Sequence, residues 1–208
     1  MNPTPQTTLA IETSTHQGSV AVLCAGKIVF SESCGAGRSH SSQLFATLER
    51  ALASLPEGGR IDRVAVGLGP GSYAGVRIAI SAAAGFALAT GAELVGLPSI
   101  VALEEGEYIA LGDARRESYY FAHVRKGQCL EGPVLLSAEE LAQKLAACPL
   151  PVLASEEIPA VIPAALAFRT PCAERLARLA AADLSIVARG DLEPIYLREP
   201  HITQAKQS

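Results

Sequence analysis

The sequence predicts an α/β protein built of two similar lobes. Three observations lead there. Hydrophobic residues make up 49% of the 208 residues and charged residues 18%, enough to bury a sizeable core. Short apolar strand segments alternate with stretches of helical spacing. The second half then restarts the pattern of the first. LAIETSTHQGSVAVLCAG, from Leu9, lies over ALGDARRESYYFAHVRKG, from Ala110, which sets Glu12 over Asp113, Ala21 over Ala122 and Gly26 over Gly127. Duplicated βββαβα units are the expected architecture, as an N-terminal lobe over 1–105 and a shorter C-terminal lobe over 106–208, with a cleft between them.

The elements follow in order. Leu9 to Thr13 reads as a strand, Ser14 to Gly18 as a turn and Ser19 to Cys24 as a second strand, apolar enough on both faces to be covered on both. Ala25-Gly26 makes a hairpin into Lys27 to Ser33. After a polar loop, Ser39, Ser41 or Ser42 is placed to cap a helix carrying Leu44, Phe45, Leu48 and Leu52 and running to about Leu55. Arg63 to Leu68 is the fourth strand, and a glycine loop leads to a helix from about Val76 to Thr90, stopped by Gly91. Glu93 to Leu97 is a fifth strand, with a short helix from Pro98-Ser99. The second copy ends with a helix over Ala138 to Ala147 capped by Ser137, a strand over Pro151 to Ala154 and a helix over Cys172 to Ala182.

Composition removes several functional classes. A formal net charge of −4 gives no general field for gripping RNA phosphates. Five cysteines, scattered and without C-x-x-C spacing, argue against a disulfide framework or zinc site and for reduced, mostly buried thiols. His16, His40, His123 and His201 form no H-x-x-x-H or H-E-x-x-H, so no metal site is expected. Ile78 to Ala92, interrupted by Ser81 and Thr90, is too short to span a bilayer, and MNPTPQTT has no signal-peptide character. The expectation is a cytoplasmic chain.

The candidate chemistry gathers at three places. GLGPGSYAGVR, Gly67 to Arg77, joins a strand to a helix, where unpaired N–H groups and the helix dipole favour an anion. It lacks the Lys-Ser/Thr of a Walker A loop, meets only the loose GPGSYA form of the dinucleotide fingerprint, and has Pro70 where G-x-S-x-G needs glycine. It therefore reads either as a nucleotide-phosphate loop, through Gly69, Gly71 and Ser72, or as a tight strand-to-helix turn. Glu12, with Ser14 after it, and Asp113, with Arg115 after it, stand at equivalent strand ends. They are suited to a hydrated Mg²⁺ or to bonding their own turns. Ile78 to Ala89 is small and apolar nearly all round, which suits packing on its own sheet or against a partner.

LAIETSTHQGSVAVL, SHSSQL, GLGPGSYAGVRIAISAAAGFALATGAELVGLPSI, DARRESYYFA and PIYLREP occur in the order seen in the TsaB (YeaZ) members of the Gcp-like family, and the resemblance covers nearly the whole chain. It implies an actin-like, sugar-kinase-type ATPase fold of two lobes, from which the reduced second lobe of this chain is a departure. It also implies a non-catalytic scaffold and activator in tRNA threonylcarbamoyladenosine formation. The catalytic relative, TsaD, carries a metal-binding H-x-x-x-H after the same loop; here that stretch reads LPSIVALEEG, without histidine. The implied partners are TsaD as heterodimer and TsaE with ATP, with tRNA met mainly through the complex; for the free chain the sequence leaves monomer and homodimer open, the small-residue helix face suiting the latter. The interface falls on Leu48, Leu52, Ile80, Ala83, Ala84 and Ala87. No cofactor is required, and weak ATP or ADP with Mg²⁺ is the residual expectation of the cleft. An independent ATPase or kinase is the alternative, and a Gcp-like peptidase a remoter one. Glu12 stands where the family usually has Asp, and Glu117 where it commonly has Gly.

Overall fold

The computed structural model describes residues 7–35, 40–158 and 166–197. The cap candidates Ser39, Ser41 and Ser42, together with His40 and His201, lie outside the described side chains. In the first half, β1 (Thr7–Glu12), β2 (Gly18–Cys24) and β3 (Lys27–Cys34) form an antiparallel meander. Helix α1 (His40–Ala53), β4 (Arg63–Gly67), α2 (Tyr73–Thr90) and β5 (Glu93–Leu97) follow, with β4 parallel to both β1 and β5. A 3-10 turn at Ser99–Ala102 leads to the second half. There β6 (Glu107–Asp113), β7 (Ser118–Arg125) and β8 (Gln128–Ser137) repeat the meander. Helix α3 (Ala138–Ala147), β9 (Val152–Ala154) and β10 (Leu166–Phe168) complete that sheet, β9 parallel to β6 and to β10.

The duplication is visible in the strand orders, β5-β4-β1-β2-β3 and β10-β9-β6-β7-β8. This is the two-lobed arrangement implied for the actin-like, sugar-kinase-type fold. Even the hairpin turns repeat: Ala25-Gly26 and Lys126-Gly127 both place two residues at positive φ, the conformation that matches strand twist in a two-residue turn. The copies differ between their fourth and fifth strands. Residues 68–92 hold α2 in the first, whereas only 155–165 separate β9 from β10 in the second.

The expected boundary between 105 and 106 is crossed. Helix α4 (Ala173–Ala181) returns to the first sheet, and β11 (Ala188–Arg189) pairs antiparallel with β5. Ala173, Leu176, Ala177 and Ala180 of α4 cover Ala10, Ala21, Ala65 and Val95. Helices α1 and α2 cover the opposite face, over Leu9, Ile11, Val20, Val22, Val64 and Val66. Burial on both sides is why β1, β2 and β4 carry apolar residues at successive positions.

Two further expectations change. The α2 helix starts at Tyr73, not Val76, because Ser72 caps it by accepting the Gly75 N–H. It is long and apolar enough, by length and composition, to cross a membrane. In the fold, Val76, Ala79, Ala83 and Ala87 pack it onto its sheet. The five cysteines are unpaired, but only Cys34 is buried; the others are half-buried.

Arg63 fastens α4 to the sheet. This nearly buried guanidinium holds Glu93 at 2.6 Å and Asp183 at 3.1 Å and donates to the Ala180 carbonyl at the end of α4. Charged donors at a helix C-terminus satisfy carbonyls left over by the helix. Arg63→Met keeps most of the stem and removes these bonds. It should lower stability in urea by about 1–3 kcal/mol; a variant as stable as the wild type would contradict the clamp.

Candidate functional site

The β1–β2 turn and the β4–α2 glycine loop meet as backbone against backbone. A Cβ on Gly71 would lie 2.1 Å from the Ser14 carbonyl oxygen, and one on Gly75 would lie 2.2 Å from that of Thr13. Only glycine permits such approach. Hydrogen bonds then close the contact. Ser72 N–H donates to the Ser14 carbonyl at 2.6 Å, and Thr13 Oγ1 donates to the Gly75 carbonyl at 2.8 Å. Gly69 N–H donates to Ser99 Oγ at 2.9 Å, and Gly75 N–H to Ser72 Oγ at 3.1 Å. Three N–H groups that a phosphate loop would offer, those of Gly69, Ser72 and Gly75, therefore point at protein oxygens. Of the two readings of the loop, the tight turn is the one these bonds describe.

Beside this contact lies a cleft of about 670 Å³ between the lobes. Ser14, Gly71 and Ser72 line it from the first lobe, and Asp113, Arg115 and Glu156 from the second. Residues Pro194 to Leu197 run along it. Of the residues expected to hold nucleotide, five meet here: Ser14, Gly71, Ser72, Asp113 and Arg115. Glu12 and Gly69 do not line it.

Glu12 is fully buried below the cleft floor. Its longer side chain, compared with Asp, carries the carboxyl under Gly67, where a Cβ would lie 1.8 Å from Oε2. Oε1 accepts the Ser14 N–H at 2.6 Å, while Oε2 has no hydrogen-bond partner among the described residues. Burial pushes the carboxyl above its ordinary value, against the opposing pull of the Ser14 and Ser99 side chains and nearby backbone N–H groups. An inward-turned carboxyl does not fit the role of holding a hydrated Mg²⁺ in the cleft.

Asp113 bonds its own turn. Oδ1 accepts the Arg115 N–H at 2.7 Å, and Oδ2 meets the Arg115 guanidinium at 3.1 Å. Arg115, Arg116 and Glu117 all hold positive φ, 64°, 54° and 57°. For residues with a Cβ this costs about 1–2 kcal/mol each, which explains why glycine suits position 117. On the same wall, burial pushes the Glu156 carboxyl up, with Arg115 pulling it back. Among the described residues, no group of three His, Cys, Asp or Glu is placed to hold a metal ion.

A second feature is an open apolar groove between α1 and α2, lined by Phe45, Leu48, Leu52, Ile78, Ala82 and Phe86, with Glu49 and Arg77 among its polar residues. The expected interface residues divide here. Leu48 and Leu52 line the groove. Ala83 and Ala87 instead face their own sheet, 0% and 7% exposed, because they continue the Val76–Ala79 seam. Ile80 and Ala84 are half-buried against the same core and lie outside the groove. Phe45, 56% exposed, and Gly85, whose missing side chain faces open space, were not among the expected contacts. Extending the seam from Val76 by three or four residues would have exposed the opposite face and found Gly85.

A family model described as TsaD, tRNA N6-adenosine threonylcarbamoyltransferase, matches residues 34–157. The chain belongs to this Gcp-like TsaD family, among its TsaB/YeaZ members. The TsaB protein of Haemophilus influenzae is 30% identical over 127 residues, 57% of this chain and 53% of that protein. The chain thus spans about half the length of that curated relative. An uncharacterized Mycobacterium bovis protein is 30% identical over 171 residues, 78% of this chain and 77% of its own. The solved YeaZ structure from Pseudomonas aeruginosa superposes with a TM-score of 0.71 at 25% identity, covering 92% of this chain and all of that one. A second P. aeruginosa structure, described as similar to peptidase YEAZ, gives 0.74 at 27% identity, over 93% of this chain and all of its own. Within this TsaD-family chain, the segment without histidines after the glycine loop forms the buried 3-10 turn that supplies Ser99.

The Glu12 environment fixes a pH dependence. Its folded pKa is raised above the ordinary 4.5, so the native state holds the proton more tightly than the unfolded chain. The stability from the neutral acid is present below the unfolded value and is lost as pH rises through the folded one. Glu12→Gln cannot ionise. Its melting temperature relative to that of the wild type should climb as pH rises above the ordinary carboxylate range, because only the wild type has a carboxyl to ionise. Parallel pH profiles for the two proteins would contradict the buried neutral acid.

Proposed function

We propose that this chain is a non-catalytic scaffold and activator of the complex that transfers a threonylcarbamoyl group to the adenosine beside the tRNA anticodon. It works in the cytoplasm and pairs with a catalytic TsaD subunit through the groove between α1 and α2. TsaE joins that pair with ATP, and tRNA is met mainly through the complex. The observation that carries this reading is the groove, an apolar surface lined by Leu48, Leu52, Ile78 and Phe86 with the large Phe45 side chain in the open. Membership of a family whose relatives are described by tRNA threonylcarbamoyladenosine biosynthesis supports it. So does the inward use of the glycine-loop donors, which argues for a chain with no required cofactor and at most weak affinity for ATP or ADP with Mg²⁺.

The second reading, an independent ATPase, is favoured by the cleft and its Asp113–Arg115 pair. Robust Mg-ATP turnover by the purified chain, abolished by Asp113→Asn, would establish that reading and remove the first.

Reconstitution tests the scaffold directly. TsaD and TsaE, given threonylcarbamoyl-adenylate, ATP and tRNA, should modify tRNA well only when this chain is present; equal yield without it would refute the assignment. Gly85→Arg separates docking from folding, because the new side chain enters open space and improves helix propensity. It should keep or raise the melting temperature while weakening the TsaD pairing by roughly tenfold or more. Unchanged affinity would remove the groove from the proposed function.

A further inference from the structure

One residue of the groove reaches two side chains of the cleft. Arg77 lines the groove, and its guanidinium carbon lies 4.5 Å from the Tyr73 ring centre and 6.0 Å from that of Tyr196. It also donates to Tyr73 Oη. The two tyrosine rings are 5.6 Å apart, inclined at 31°, and both line the cleft. Arg77 meets no carboxylate among the described residues; its contacts are these two aromatic faces and one hydroxyl.

Tyr196 lies on a strap that ties the lobes together. Leu192, at one end, packs on the core under α1 and α2. Leu197, at the other, packs on the second-lobe core with Tyr108 and Tyr120. Between them, Ile195 N–H donates to the Leu68 carbonyl at 2.8 Å, and Pro194 has no N–H to give. The strap thus depends on side-chain anchors, and Tyr196 stands where it passes the start of α2.

We propose that Arg77 couples the partner groove to the cleft. The inference rests on the groove as the seat of the catalytic subunit. The occupant it fits is an apolar ridge that brings a carboxylate to the Arg77 end. That carboxylate supplies the charged partner that Arg77 does not find among the described residues, and a fork-shaped guanidinium engages a carboxylate more strongly than an aromatic face. Drawing Arg77 toward it unclasps Tyr196 from Tyr73 and loosens the strap, so that partner docking opens the cleft between the lobes. Arg77 acts as a positioning residue throughout.

Residue-resolved amide exchange of Ile195 in the full chain tests this, with the β1 amides as a control for global stability. In the free protein, Arg77→Gln should speed Ile195 exchange roughly threefold to tenfold, the scale of one cation–aromatic contact, and leave β1 unchanged. Tyr196→Ala, which removes the clasp from the strap side, should do the same. Adding purified TsaD should speed Ile195 exchange in the wild type and add little in Arg77→Gln. Ile195 exchange equal in wild type and both variants would overturn the clasp. A complex that forms while Ile195 exchange stays at the free value would overturn the coupling and leave the groove as the partner site. If no complex forms by size-exclusion chromatography, the groove reading fails and the coupling falls with it.

Discussion

The contact between the Thr13–Ser14 turn and the Gly71–Gly75 loop is the constraint on which the rest of the functional surface depends. Two carbonyl oxygens occupy the space where side chains would stand on Gly71 and Gly75. That closeness fixes the first turn of α2 against the end of β1. The direction of α2 then follows, and with it the face opposite Val76, Ala79, Ala83 and Ala87 that forms the groove wall with α1. The same contact seats Ser14 and Ser72 at the cleft and puts Glu12 beneath it. Backbone freedom in this loop serves packing inside the chain, and the contact takes up the Ser72 N–H, one of the donors that would greet a phosphate.

The two copies of the unit have taken on different work. The first keeps a full α2 and presents the groove. The second keeps the sheet order but has a short connection where α2 would be, and supplies Asp113, Arg115 and Glu156 to the cleft. The lobes are bound together twice: by α4, which crosses to the first sheet under the grip of Arg63, and by the strap from Leu192 to Leu197.

Much of this was legible in the sequence, because it depended on local chemistry. The repeat showed itself through Gly26 over Gly127 and Glu12 over Asp113, and both meanders formed where expected. Ser137, with Glu140, caps α3 as its type and spacing suggest. What was not legible depended on long-range packing. Nothing local in Ala173–Ala181 says which sheet it covers. Ala83 looked like an interface residue because α2 is small and apolar on every side, so its buried seam has little contrast with its open face. Glu12 looked like a cleft residue because one methylene decides whether a carboxyl faces the cleft or the core. β10 and β11 are too short to give a periodic signal.

Two glycines of the same helix give the most direct test. Gly75 lies against the Thr13 carbonyl, whereas Gly85 faces open space. Equilibrium unfolding of Gly75→Ala and Gly85→Ala should give opposite signs. The account predicts that Gly85→Ala gains about 0.5–1 kcal/mol from helix propensity, and that Gly75→Ala loses about 1–3 kcal/mol from the forced separation of the two segments. If both substitutions stabilise the protein, the glycine loop is not locked on the β1–β2 turn, and the account is contradicted at its base.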